Sequence, residues 1–142
     1  MRTILITGAS GGLAQEIVKL LPNDQLILLG RNKEKLAQLY GNHPNVEWIE
    51  IDITDDKALE ALVADLYLRY GKIDALINNA GYGIFEDFDQ ISDKDIHQMF
   101  EVNTFALMNL SRRLGARMKE RRKGHIINIV SMAGLIATSK SS

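Results

Sequence analysis

Thr7-Gly8-Ala9-Ser10-Gly11-Gly12-Leu13-Ala14 decides the reading of this chain. The stretch follows an apolar run, Ile4-Leu5-Ile6, and leads into a helix-like segment from Gln15 to Leu21. Strand, glycine turn and helix in succession present backbone N–H groups and a helix N-terminus to an anion, which is the geometry of a phosphate site. An ordinary strand–helix turn also uses glycine, for its freedom to take positive φ. The Thr-Gly pair in front and the small residues crowded at the helix start favour a dinucleotide site, with Gly8, Ser10, Gly11, Gly12 and Leu13 as its candidate residues. The spacing is not the common G-x-G-x-x-G. Gly8 and Gly12 stand four apart, and the last small position is Ala14.

Outward from this turn, strands and helices alternate. Ile4–Ile6 and Leu26–Leu29 are apolar at consecutive positions, as in strands covered on both faces. The first helix is expected to bury Ile17, Leu20 and Leu21 and to stop before Pro22. Asn32 is placed to cap a short helix carrying Leu36, Leu39 and Tyr40, which Gly41 ends. Val46–Ile51 alternates and reads as an outer strand. Thr54 is the expected cap of a helix with Leu59, Leu62, Val63, Leu66 and Tyr70 on one face, ended by Gly71. Ile73–Ile77 and Ile126–Val130 read as the fourth and fifth strands, with a long helix from about Asp93 to Lys119 between them. This order predicts an α/β fold, a doubly wound Rossmann-type parallel sheet of order 3-2-1-4-5, with ligand over the carboxyl ends of the strands.

With 142 residues the chain is read as one domain, 1–142, short for a complete two-halved nucleotide-binding enzyme. Its 46% hydrophobic and 25% charged content is ordinary for a soluble globular protein. A net charge of −1 gives no overall pull toward nucleic acid or an anionic membrane. The absence of cysteine excludes thiol catalysis and thiolate metal sites, and His43, His97 and His125 lack metal-ligand spacing. No signal peptide or membrane span is read, so the expected location is the cytoplasm.

The strand ends carry the chemistry. Arg31, after the second strand, stands where an acidic residue would hold the 2′-hydroxyl of NAD. A guidinium there suits the 2′-phosphate of NADP, unless it is simply a solvated arginine at a helix start. Asp52, with Ile53 beside it, is placed to accept from an adenine amino group or equally to make a capping turn with Thr54. Asn79, Ala80 and Gly81 close the fourth strand after Asn78, where small residues let backbone approach a ligand and amides tie neighbouring strands together.

Asn103 interrupts the long helix's stripe of Ile96, Met99, Phe100, Leu107, Leu110, Leu114 and Met118. It either locks the core or holds a water at the site. Val102, Phe105 and Met108 form a second stripe, which a partner subunit would cover. The basic cluster from Arg112 to Lys123 reads as cations at a helix C-terminus rather than a nucleic-acid patch. Ser131 ends the fifth strand over the same crevice and reads as a hydrogen-bonding serine, because no G-x-S-x-G elbow surrounds it.

Thr7-Gly8-x-x-x-Gly12-Leu13-Ala14, Asn78-Asn79-Ala80-Gly81, Asn103 and Ser131 together resemble the classical short-chain dehydrogenase/reductase family, over essentially the whole chain. Ala14 departs from the family's usual glycine. Read as Gly8-x-x-Gly11-x-x-Ala14, the loop is nearer the extended, epimerase-type branch or the nucleotide-sensing relatives; Asn-Asn-Ala-Gly and Asn103 favour the classical branch. The resemblance implies hydride transfer between a nicotinamide and an alcohol or carbonyl carbon, with NADP preferred through Arg31 and NAD the alternative. It implies that Ser131 hydrogen-bonds the reacting oxygen and that Asn103 supports a proton-relay water.

The family's catalytic tyrosine, with a lysine four residues later, should follow the serine by roughly a dozen residues. Ala137-Thr138-Ser139-Lys140 looks like the tail of that motif, but Ile136 stands in the tyrosine's place, and no tyrosine follows Tyr82. The 142 residues alone are therefore expected to be nearly inactive. The tyrosine, the lysine and the C-terminal strands and helices of the full fold are expected beyond Ser142, which would leave the fifth strand as an apolar edge. The competing reading is a non-catalytic dinucleotide sensor or interaction protein. Expected partners are the cofactor, a small alcohol or carbonyl compound, and a second copy of the chain through the 93–119 helix.

Overall fold

The computed structural model describes residues 1–79 and 92–129, and only the backbone at 99, 100, 102 and 103. Five parallel strands form its sheet: β1 (Thr3–Ile6), β2 (Gln25–Gly30), β3 (Val46–Glu50), β4 (Ala75–Asn78) and β5 (His125–Asn128). Their order is β3-β2-β1-β4-β5. The order reverses at β1, whose Leu5 lies between Ile27 of β2 and Leu76 of β4. That switch point is where an open α/β sheet leaves a crevice at its carboxyl edge.

The continuous apolar runs have the cause expected of them, because both sheet faces are covered. Leu5, Ile27, Leu29 and Leu76 pack into one buried cluster with Leu59, Leu66, Leu110 and Leu114. Their strand neighbours Ile4, Ile6, Leu26 and Leu28 point the other way, onto Ala14, Val18, Leu36 and Tyr40. The first cluster is closed by α3 (Asp56–Tyr70) and α5 (Leu107–Arg121), the second by α1 (Gly12–Leu20) and α2 (Lys33–Tyr40). A further helix, α4 (Asp93–Phe100), precedes α5.

Several local expectations shift. α1 starts at Gly12 rather than Gln15, so the glycines themselves form its first turn. Leu20 is 77% exposed, and Ala14 and Val18 make the buried contacts of α1. Asp55, not Thr54, caps α3 by accepting from the Ala58 N–H at 3.1 Å, because Thr54 is engaged by Asp52. Asn32 caps α2 as expected, accepting from Lys35 N–H at 3.0 Å. The long helix is not uniform: Glu101–Ala106 is a π-helical turn between α4 and α5. Ile96 is 38% exposed, while Leu110, Leu114 and Met118 are buried.

β2 ends in a close approach. A Cβ on Gly30 would stand 2.9 Å from Leu36 Cδ2, so α2 packs directly on the glycine. Among the described residues no helix is long and apolar enough to cross a membrane.

Candidate functional site

The turn between β1 and α1 is held in place from three sides. Gly8 takes φ 63°, a conformation that favours glycine. Ala9 donates its N–H to the Leu29 carbonyl at 2.9 Å, and its own carbonyl accepts from the Tyr40 hydroxyl. Burial pushes the Tyr40 phenol above its ordinary pKa, which keeps it a neutral donor. Sequence reasoning counted Tyr40 only among the apolar residues of α2. Its hydroxyl is the part that reaches the turn.

From the other side, Asn79 donates its N–H to Thr7 Oγ1 at 2.9 Å and its Nδ2 to the Gly8 carbonyl at 3.4 Å. Thr7 is fully buried, so this link is shielded from water. The expectation that the amides after β4 tie neighbouring strands is met by Asn78 as well. Its Nδ2 donates to Ser111 Oγ at 3.0 Å and to Asn128 Oδ1 at 2.8 Å, joining β4 to α5 and β5. Asn78 Oδ1 is buried and has no partner among the described residues.

The helix start is left open by the described residues. α1 has no side-chain cap: its N-cap is Gly11, in extended geometry. A Cβ added to Gly12 would meet nothing within 4 Å among the described residues. Glycine in a helix is disfavoured against alanine by roughly 0.5–1 kcal/mol, and no contact among the described residues requires it. An uncapped N-terminus with an open space where a Cβ would sit is what close approach of a pyrophosphate needs. Ser10 is half-buried in the turn, and Leu13 projects beside it with 51% of its surface exposed.

At the next strand ends, Arg31, Asp52 and Thr54 line a cleft of about 380 Å³ together with His97, Gln98, Glu101 and Phe105. Asp52 Oδ1 accepts from the Thr54 hydroxyl at 2.6 Å and from the Thr54 N–H at 3.0 Å. Those bonds, the hydroxyl's foremost, together with the charge of Arg31 outweigh burial and hold the Asp52 carboxyl below the usual range. Asp52 therefore makes the capping turn and lines the cleft at once. Ile53 is buried in the core with Leu59 and Leu76, which leaves its backbone as the part able to face a ligand.

The backbone of Asn103 lies inside the π-helical turn. Such turns are rare and frequent at functional sites. Nothing in the composition of Glu101–Ala106 signals it, because one extra residue in the helical ladder has no propensity signature. Ala80, Gly81 and Ser131, and the side chain of Asn103, lie outside the described residues. So do Val130, the last residue of the expected fifth strand, and the aromatic side chains after Tyr82 up to Phe88.

Much of the basic cluster is engaged within the chain. Arg113 pairs with Asp56 at 2.9 Å, the Arg117 guanidinium sits 4.6 Å from the Tyr67 ring centroid, and Arg121 reaches Asp74 at 3.8 Å. Among the described residues no three His, Asp or Glu side chains converge as a metal site.

A family model described as short chain dehydrogenase matches residues 2–142. The chain is 37% identical over 139 residues to a ketoacyl reductase, HetN, of Nostoc sp., covering 94% of this chain and 48% of that protein. It is 33% identical over 135 residues to the NADP-dependent 3-hydroxy acid dehydrogenase YdfG of Shigella flexneri, covering 92% of this chain and 54% of that one. Among solved structures it superposes on the closed form of a serine dehydrogenase complexed with NADP+, with a TM-score of 0.82 and 31% identity over 96% of this chain and 57% of that one. The chain thus spans about half the length of the curated relatives it matches.

Proposed function

Because the chain belongs to the short-chain dehydrogenase family, we propose that residues 1–142 form the NADP-binding domain of an oxidoreductase acting on an alcohol or carbonyl compound. The observation that carries the nucleotide assignment is the α1 N-terminus, uncapped and with open space at Gly12. Gly8, Ser10, Gly11, Gly12 and Leu13 would surround the pyrophosphate, and Arg31 the adenosine 2′-phosphate. Asp52 and the Ile53 backbone would face the adenine, and Asn79, Ala80 and Gly81 the nicotinamide ribose. The similarity to an NADP-dependent dehydrogenase and to a serine dehydrogenase solved with NADP+ supports that cofactor over NAD.

The nicotinamide, when bound, supplies or accepts the hydride. The protein's part is to orient it and to handle one proton. The link between Asn79 and Thr7 fixes the turn against the end of β4, so that cofactor and substrate carbon meet in one geometry. Ser131 would hydrogen-bond the reacting oxygen, and Asn103 would hold a relay water in the π-helical turn. A tyrosine and lysine beyond residue 142 would exchange the proton with that oxygen. General acid–base catalysis contributes about 10²–10⁴-fold, so residues 1–142 alone would bind nucleotide and turn over little. Phe105 and Met108, 62% and 64% exposed on the long helix, would meet a second copy of the chain. A cytoplasmic location accords with this chemistry.

Titration of the full-length protein with NADP+ and NAD+ tests the assignment. One charge-assisted contact contributes roughly 1.5–3 kcal/mol, so NADP+ should bind about tenfold or more tighter. Equal binding would remove Arg31 from its role, and absence of both would remove the cofactor assignment.

A further inference from the structure

Ala9, in the turn between β1 and α1, is held through both of its backbone polar groups. Its N–H donates to the Leu29 carbonyl of β2 at 2.9 Å, and its carbonyl accepts from the Tyr40 hydroxyl. Both partners in the second bond are buried, Ala9 fully and Tyr40 at 6% exposure. Tyr40 is itself fixed. It is the last residue of α2, whose end is tied to β3 where Trp48 Nε1 donates to the Gly41 carbonyl at 3.0 Å. Its ring packs in the buried cluster that holds Ile6, Ala14 and Val18. The hydroxyl therefore meets the turn from the interior of the protein.

A trans peptide is planar, and its C=O and N–H point in opposite directions. With the Ala9 carbonyl drawn inward to Tyr40, the Ser10 N–H of the same peptide plane points away from the interior. That N–H meets no acceptor among the described residues. The first N–H groups of α1, from Gly12 and Leu13, follow it in the chain, and no side chain caps them. We infer that Tyr40 is a positioning residue for the phosphates of the dinucleotide. Its hydroxyl sets the Ala9–Ser10 peptide so that the Ser10 N–H joins those of the α1 start as a donor to the anion. This rests on the dinucleotide reading proposed above. The reverse setting of the peptide would withdraw a donor and turn a carbonyl oxygen toward the phosphates.

Tyr40→Phe removes the hydroxyl and keeps the ring in its cluster. The buried Ala9 carbonyl then lacks its partner and regains one only by turning toward water, which carries the Ser10 N–H out of place. The test is calorimetric titration of the full-length protein with NADP+ and with NAD+, in the wild type, Tyr40→Phe and Asp74→Asn. The temperature is one at which circular dichroism shows all three folded. Asp74 accepts from the Thr3 N–H at the far end of β1, so its replacement controls for lost stability alone. Tyr40→Phe should weaken both nucleotides by the same factor, about tenfold, the size of one hydrogen bond to a charged group. Asp74→Asn should bind both as the wild type does.

Wild-type affinity of Tyr40→Phe for both nucleotides would overturn the inference. A loss confined to NADP+ would also overturn it, because the effect would then run through α2 to Arg31. So would an equal loss in Asp74→Asn, which would make the effect one of stability. In each of these outcomes the wild type still binds nucleotide. Failure of the wild type to bind either nucleotide would instead overturn the dinucleotide reading, and this inference with it.

Discussion

The Asn79 N–H donates to Thr7 Oγ1 at 2.9 Å, across the gap between the ends of β4 and β1. The bond joins the two strands that flank the switch point, at the level where the glycine turn begins. Thr7→Val removes the acceptor while keeping the shape, and leaves a shielded N–H without its partner. It should lower unfolding stability by roughly 1–3 kcal/mol in urea titration and weaken nucleotide binding. Thr7→Ser, which keeps the hydroxyl, should recover most of both.

Gly12 separates the needs of the fold from those of the ligand. With nothing within 4 Å of its missing Cβ, Gly12→Ala should raise stability by about 0.4–1 kcal/mol in thermal or urea unfolding. The same methyl would occupy the space assigned to the pyrophosphate. Affinity for NADP+ should fall while the melting temperature rises, and a variant that gains stability without losing affinity would refute the placement.

Asn78 gives a pH test. In Asn78→Asp the buried side chain loses both donors, and its carboxylate faces the oxygens of Ser111 and Asn128. Burial and those acceptors favour the protonated acid, so the folded-state pKa lies above the unfolded one. Stability is then retained below the unfolded value and lost as pH rises through the folded one. Urea midpoints of the variant should fall from pH 4 to pH 7, where the loss should reach about 3 kcal/mol or more.

Asp74 sits at the opposite end of the sheet, nearly buried, accepting from Thr3 N–H and Lys72 Nζ, each at 2.8 Å. Burial alone would push its carboxyl up. The Lys72 and Thr3 bonds and the charges of Lys72 and Arg121 outweigh it and hold the carboxyl below its ordinary value. A depressed carboxylate stabilises the fold above the unfolded pKa, and that contribution disappears as pH falls through the folded one. Asp74→Asn should cost roughly 1–3 kcal/mol at pH 7 and flatten the acid limb of the stability profile below about pH 4.

The sheet was legible because its cause is local. Continuous apolar runs such as Leu26–Leu29 have one explanation in a chain of alternating strands and helices, and two covered faces supply it. Caps were legible where one side chain competed for the role, as at Asn32. At Thr54 two neighbours competed. Asp52 took the threonine hydroxyl, and Asp55 took the helix. The π-helical turn at Glu101–Ala106 was not legible, since its hydrogen-bond shift has no compositional mark. Nor were the meeting of Arg31 and Asp52 with His97 and Glu101 around one cleft and the reach of the Tyr40 hydroxyl. Both depend on contacts between residues distant in sequence.

The Leu36 side chain packed against Gly30 has a consequence for the proposed coenzyme preference. A side chain at residue 30 would force the buried Leu36 side chain of α2 to shift, and replacing Asn32 would uncap the same helix. Arg31 stands between these two neighbours, exposed at the edge of the cleft beside Asp52. On the proposed reading, in which Arg31 meets the 2′-phosphate, exchanging it for an acidic residue would alter coenzyme preference while the packed glycine and the capping asparagine on either side stay as they are.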